Sequence, residues 1–137
     1  MKLRASFLAQ SAKTNVDGTF DVGGGGITEF QVRGGFILGV PLRLDFAVII
    51  RVELDDDEVE TLRSGELRVY FQGKALGLGM QMPIALRRQR GEKRYYVNLI
   101  THVVADVPNL GSGYVEVTLD GGAVRAPHMH FEVKGSD

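Results

Sequence analysis

Apolar and polar residues alternate along much of this chain with a period of two, which is the pattern of a β-strand with one buried face. The longest such run covers residues 42–54, where every even position is apolar and several odd positions are charged. We therefore expect one long, half-buried strand there, with its even-numbered side chains directed at a core.

Eight further runs have β character, and they cover residues 3–10, 18–22, 27–32, 66–72, 76–86, 94–104, 113–120 and 123–134. Asp-Gly pairs at residues 17–18 and 120–121 are turn signals between some of these runs. Strands at this spacing predict an all-β protein, an antiparallel β-sandwich of about 8–9 strands. One acidic stretch, residues 55–63, has a helical pattern, so we expect at most one short helix.

The composition fits one ordinary domain over residues 1–137, without an internal repeat or a linker. The chain has no cysteine, which excludes disulfides, thiolate metal sites and a thiol nucleophile. No run approaches the roughly 18 apolar residues of a membrane span, and residues 1–20 lack the pattern of a signal peptide. We expect a soluble protein of the cytoplasm that has no membrane partner.

The first thirty residues contain a Leu-Ala-Gln-Ser-Ala step at residues 8–12, a turn at residues 17–18 and a glycine cluster at residues 23–26. In these features the chain resembles a bacterial family that is catalogued only as a domain of unknown function. The resemblance implies a small all-β protein and no assigned activity. We interpret the glycines as positions of positive φ, a bulge or a close approach of strands, because the Lys and Ser or Thr of a phosphate-binding loop are missing.

Near the end of the chain, "HMHFEV" resembles the His-x-His strand of zinc peptidases that cut peptidoglycan cross-bridges, and "HVVAD" resembles their His-x-x-x-Asp pair. The resemblance implies a zinc site in which His102, Asp106 and His130 are ligands and His128 is a general base. Three protein ligands leave an open position for the water that a hydrolytic zinc needs. This zinc-dependent hydrolase is our alternative function.

Strand periodicity gives the same residues a simpler explanation. Met129, Phe131 and Val133 would face the core, while His128 and His130 would lie on the surface, either as ordinary surface residues or as an adventitious metal-binding pair. The segment between Asp106 and His130 is also too short to hold the scaffold of the peptidases. The chain has no recognisable serine or threonine nucleophile motif either, so we assign no catalytic residue.

Charge is balanced overall but segregated along the chain. Residues 53–60 hold six carboxylates and no basic residue, whereas residues 87–94 hold five basic residues and one Glu. We interpret both runs as loops that bind protein, including a second copy of the chain in a homo-oligomer. The candidate interaction residues are Arg87, Arg88, Arg90, Lys93, Arg94, Asp55, Asp56 and Asp57. An alternative is that the three Asp residues bind calcium.

The sequence as a whole favours a non-catalytic binding, adaptor or assembly protein that acts through protein contacts and needs no cofactor. Zinc or calcium would be the cofactor under the alternatives, and a calcium- or carbohydrate-binding module is a third interpretation. We do not expect nucleic-acid binding, because the isoelectric point is about 6.3 and one basic loop neutralises few phosphates. The apolar run with Met80 and Met82 is a further candidate for an adaptable contact surface.

Overall fold

A computed structural model describes residues 2–14, 20–32, 39–55, 65–77, 79–82, 94–119 and 122–135. These ranges contain eleven strands and no α-helix. The strands are β1 (Lys2–Thr14), β2 (Phe20–Gly25), β3 (Glu29–Val32), β4 (Leu42–Asp55), β5 (Gly65–Phe71), β6 (Lys74–Ala75), β7 (Met80–Met82), β8 (Arg94–Val107), β9 (Gly111–Leu119), β10 (Val124–Arg125) and β11 (Met129–Gly135).

The strands form two sheets. The first sheet has the order β2-β1-β4-β8, and the second has the order β3-β11-β9-β5-β6, with β7 also paired to β5 and β10 to β9. All pairings between the described strands are antiparallel except that of β3 with β11, which is parallel. The predicted all-β sandwich is confirmed.

Eleven strands are observed rather than eight or nine because one predicted run is divided and because one short strand, β6, lies between two predicted runs. In the run 76–86 only Met80–Met82 is a described strand, and Gly77 before it has a φ of 69° that does not fit an extended chain. In the run 123–134, Pro127 lies between β10 and β11, since proline has no N–H for a sheet ladder. The helix predicted for residues 55–63 lies outside the described residues, apart from Asp55, which ends β4.

The even-numbered face of β4 forms the centre of the core. Phe46, Val48, Ile50, Val52 and Leu54 are fully buried there, as the alternation in the sequence predicts. They pack against apolar side chains of β5, β9 and β11 in one cluster that joins the two sheets. Burial of each such side chain contributes about 1.5–3 kcal/mol, so this shared core holds the sheets together.

The odd-numbered face of β4 is also buried at its centre, which the prediction of a half-buried strand did not include. Ala47 and Ile49 are fully buried and form a second cluster with Ala9 and Ala12. Ile49 lies between Phe7 of β1 and Ile100 of β8 in the strand register. β4 is an internal strand, so side chains of both neighbouring strands cover its outer face.

The glycine cluster lies at the β1–β2 pairing, where the interpretation as a close approach of strands has structural support. A Cβ atom at Gly23 would lie 2.6 Å from the hydroxyl of Ser11, and one at Gly24 would lie 2.8 Å from the side chain of Gln10. Gly24 also has a φ of 61°, in the left-handed region. Among the described residues there is no helix that is long and apolar enough to cross a membrane.

Candidate functional site

His102 and Asp106 lie on the outer face of the first sheet. Residues that face each other in an antiparallel pair point to the same side of the sheet, and His102 faces Ala47 of the outer cluster. Asp106 is four residues further along β8 and so shares this face. Its carboxylate accepts a 3.4 Å hydrogen bond from Arg43 Nε, between two exposed side chains.

His130 lies on the outer face of the second sheet, on the opposite side of the sandwich. Its neighbours Met129 and Phe131 are buried in the core, so the alternation along β11 directs His130 outward. Sheets in a sandwich pack about 10 Å apart, whereas ligands of one zinc ion lie within about 4 Å of each other. The structure therefore does not bring His102 and Asp106 together with His128 and His130.

The described ranges contain no group of three or more His, Asp or Glu side chains that could hold a metal ion. His128 and His130 are instead part of a row of rings on the second sheet. Tyr114 stacks on Tyr70 with the ring centroids 4.8 Å apart, and on His128 with the centroids 4.4 Å apart. This arrangement fits the interpretation of the two histidines as surface residues.

A polar groove lies next to this row and has a volume of about 280 Å³. Its lining includes Glu66, Arg68, Glu116 and Arg125. Arg68 Nε donates a 2.7 Å hydrogen bond to Glu66, and hydrogen bonds to Glu66 and then to Tyr70 raise the pKa of Arg68. Among the described lining residues, the formal charges of these two acidic and two basic groups balance.

Most of the predicted interaction residues lie outside the described residues, namely Arg87, Arg88, Arg90, Lys93, Asp56 and Asp57. The backbones of Asp55 and Arg94 face each other at the end of the β4–β8 ladder. The chain therefore enters the acidic run and leaves the basic run at the same end of one strand pair.

In the part of the chain that the structure describes, β8 is an edge strand of the first sheet and lies close to β7 of the second sheet, which the sequence did not single out. Within the described residues β8 pairs with β4 alone, along all fourteen of its residues. In an antiparallel ladder every second residue directs its N–H and C=O groups away from the neighbour, so the far side of β8 presents a row of hydrogen-bonding groups.

Charged residues stand only at the two ends of the outer face of β8, at Arg94 and Asp106, and not along its middle. Proteins commonly place charged residues, especially lysine, or proline on exposed edges to prevent pairing with other chains. The outer face of β8 from Tyr96 to Val104 has no Lys, Arg, Asp or Glu. Tyr96 is 44% exposed and Val104 is 60% exposed, and Val104 is the most exposed large apolar residue among those described. Arg51 lies over the ring of Tyr96, 4.6 Å from its centroid.

An apolar groove of about 300 Å³ opens beside β8 between the two sheets. Its lining combines Leu67, Val69, Leu76, Gly77 and Met80 of the second sheet with residues 103–106 of β8. Met80 is 38% exposed, so this part of the apolar run 76–86 is available at the surface. We use the term β8 edge for strand β8 together with this groove.

Sequence reasoning missed the β8 edge because β8 has the composition of an internal strand. Leu99, Val103 and Val107 are buried in the core, while Tyr96, Ile100 and Val104 are apolar residues of the outer face. The sequence does show that β8 is apolar on both faces. Whether such a strand lies at an edge depends on long-range pairing, which turn motifs do not encode.

No family model, no curated protein and no solved structure matches this chain. The resemblance of the first thirty residues to a bacterial domain of unknown function stays a prediction.

Proposed function

We propose that this protein is a non-catalytic binding protein that acts through protein–protein contacts, as an adaptor or as part of an assembly, and that the β8 edge is its contact surface. The observation that carries the proposal is that β8 pairs with β4 alone among the described strands and exposes Val104 and Tyr96. Val104 also lines the apolar groove with Leu76 and Met80, so its exposed surface is not that of a single apolar residue. Contiguous exposed apolar surface is typical of interaction sites.

The β8 edge has the two elements that strand addition requires. A partner strand forms main-chain hydrogen bonds with an open edge, and pockets for its alternate side chains supply specificity. β8 offers the main-chain groups, and the adjacent groove offers an apolar pocket lined by Leu67, Val69 and Met80. Such a contact needs no metal or other cofactor.

The positions of the histidines support a non-catalytic role over the zinc-dependent hydrolase. His102 and His130 lie on opposite outer faces of the sandwich, so a zinc ion bound by one is out of reach of the other. The proposal places the protein in the cytoplasm of a bacterium, with protein partners rather than nucleic acid. Both of these assignments come from the sequence.

The test is a capture experiment with three tagged versions of the full chain: the wild type, Val104→Lys and Val40→Lys. Val40 is the matched control, because it is the same residue type and 51% exposed but precedes β4, five residues before Asp45, the position that faces Val104. Each bait is incubated with a lysate of the source cells to which an untagged second copy of the chain has been added, and bound proteins are quantified by mass spectrometry.

We expect at least one protein to bind the wild type and the Val40→Lys variant equally and to be lost about tenfold or more with Val104→Lys. Lysine introduces a charge where a partner strand would bury an apolar side chain. Capture of the same proteins in the same amounts by all three baits, or no capture above empty beads, would show that the β8 edge is not the contact surface.

A further inference from the structure

We infer that the partner of the β8 edge is a second copy of this chain, bound by antiparallel pairing of β8 with β8 about a two-fold axis through Ile100. This inference rests on the proposed function and names the occupant of the same surface. The two first sheets would join into one continuous eight-stranded sheet, in the order β2-β1-β4-β8 followed by its mirror order.

The sequence of β8 is self-complementary about Ile100. A two-fold axis at this residue places Ile100 opposite itself, Asn98 opposite His102, and Tyr96 opposite Val104. Apolar side chains thus face apolar side chains, and polar ones face polar ones. Cross-strand pairs of matched side chains each contribute about 0.2–1 kcal/mol, and a two-fold interface counts every unlike pair twice.

Other registers match less well. Ile100 and Thr101 are the two central residues of β8, so only axes near them use the whole strand. An axis through Thr101 sets Ile100 opposite His102, which pairs an apolar with a polar side chain. An axis between the two residues pairs outer-face with inner-face positions, which a continuous pleated sheet does not allow. The register about Ile100 is therefore the one that uses the full strand with matched faces.

The two most exposed apolar side chains of β8 are covered together in this register. Tyr96 and Val104 are 44% and 60% exposed in the single chain, and each faces the other across the two-fold axis. Aromatic and β-branched residues are favourable cross-strand partners. The Tyr96–Val104 pair occurs twice in the symmetric dimer, so a substitution of Val104 removes two favourable contacts.

The register also supplies a partner for a buried polar atom. The side-chain oxygen of Asn98 is buried and has no hydrogen-bond partner among the described residues. In the dimer Asn98 faces His102 of the second copy, whose ring N–H is a donor. A buried acceptor without a partner costs about 1–3 kcal/mol, so a donor at this position favours association.

The test uses engineered cysteines, since the natural chain has none and any disulfide must come from the introduced residues. Three single variants are made: Ile100→Cys, Tyr96→Cys and Val104→Cys. Each variant is reduced and then oxidised alone with a mild catalyst. Tyr96→Cys and Val104→Cys, which carry tags of different size, are also mixed and oxidised together. Covalent dimer is measured on non-reducing gels, and sedimentation measures the mass of the unmodified chain.

We expect Ile100→Cys alone to cross-link, because the two Cβ atoms at a two-fold pair lie about 5 Å apart. We also expect the mixture of Tyr96→Cys and Val104→Cys to give at least about tenfold more covalent dimer than either variant alone. In this register two copies of position 104 lie about 27 Å apart, beyond the reach of a disulfide. The unmodified chain should sediment as a dimer.

A monomeric mass, or equal cross-linking by all variants and the mixture, would overturn the inference. The exposed positions Tyr96 and Val104 keep the test informative if Ile100→Cys fails to fold. The capture experiment distinguishes the two proposals. Suppose that the Val104→Lys bait fails to capture another protein, and that the untagged copy is never captured by any bait. The β8 edge is then the contact surface, but the inference that its partner is a second copy is wrong. If nothing captured depends on Val104, both fail.

Discussion

Val104 and Val40 show why surroundings matter more than exposure at the residue scale. They are 60% and 51% exposed, which is a small difference between two valines. Val40 stands before β4, whereas Val104 lies on an open strand beside an apolar groove and shares a face with exposed Tyr96. A partner that pairs with β8 would also bury Val104, and this burial would stabilise the complex. Our functional proposal rests on this combination.

Gly113 gives a stability prediction at the same scale. A Cβ atom there would lie 2.5 Å from the ring of Phe131 and would also clash with the backbone oxygen of Tyr70. We expect Gly113→Ala to lower the free energy of unfolding by about 2 kcal/mol, because a backbone atom and a core ring must both move. The matched control is Gly135→Ala in β11, where the nearest atom lies at 3.5 Å.

Chemical denaturation of both glycine variants and the wild type measures the difference. A Gly113→Ala chain as stable as the Gly135→Ala control would show that β5, β9 and β11 pack less closely at this point than the structure has them.

Sequence patterns predicted the histidine environments in part. Alternation along β11 correctly placed Met129, Phe131 and Val133 in the core and left His130 outside. The same reasoning did not reveal that His102 lies on the other sheet, because motif spacing does not encode which sheet a strand joins. The stack of His128 on Tyr114 was likewise hidden, since it depends on the β9–β11 pairing.

At the scale of elements, period two located most strands but not their order. The β4 strand was predicted within one residue of its observed bounds, Leu42–Asp55, because its even positions are apolar without exception. The run 123–134 is divided at Pro127, and in the run 76–86 the strand begins only after Gly77. Both residues interrupt an apolar pattern without changing its period. The position of β8 at an edge required the pairing of distant strands.

The β5–β6 hairpin supports a prediction about its turn. Its two turn residues, Gln72 and Gly73, have φ values of 50° and 78°, as a type I′ turn requires. A Cβ atom at Gly73 would meet nothing within 4 Å. We expect Gly73→Ala to cost about 1 kcal/mol of stability from backbone strain alone.

Thermal unfolding of the Gly73→Ala variant tests this turn, with Gly135→Ala as the control that has no positive φ. An unchanged melting temperature would contradict a left-handed conformation at Gly73.

At the scale of the whole molecule, the separation of the histidines predicts the metal content. We expect protein purified without affinity nickel to contain far less than one zinc ion per chain, because His102 and His130 lie on opposite faces. Native mass spectrometry before any chelator measures this content. Stoichiometric zinc that is lost in both His102→Ala and His130→Ala would instead favour the hydrolase alternative.

The two charged runs provide a contrast to the β8 edge. Asp55 and Arg94 face each other within one chain, so both runs leave the same end of the β4–β8 pair. Antiparallel pairing of two β8 strands places these ends of the two copies far apart. We expect reversal of the charges at Arg87, Arg88 and Arg90 to leave the mass of the dimer unchanged in sedimentation. A monomeric mass after the reversal would identify the charged runs as the interface.

Amide hydrogen exchange along β8 tests the central claim most directly, because it reports which of its N–H groups are bonded. With the pairings of the described residues, a single chain protects the amides of β8 that are directed at β4, so protection alternates from Arg94 to Val107. We expect both sets of amides to be protected at high protein concentration, with the outward set losing protection on dilution as the dimer dissociates. Alternating protection that is the same at every concentration would contradict an edge that binds a second copy of the chain.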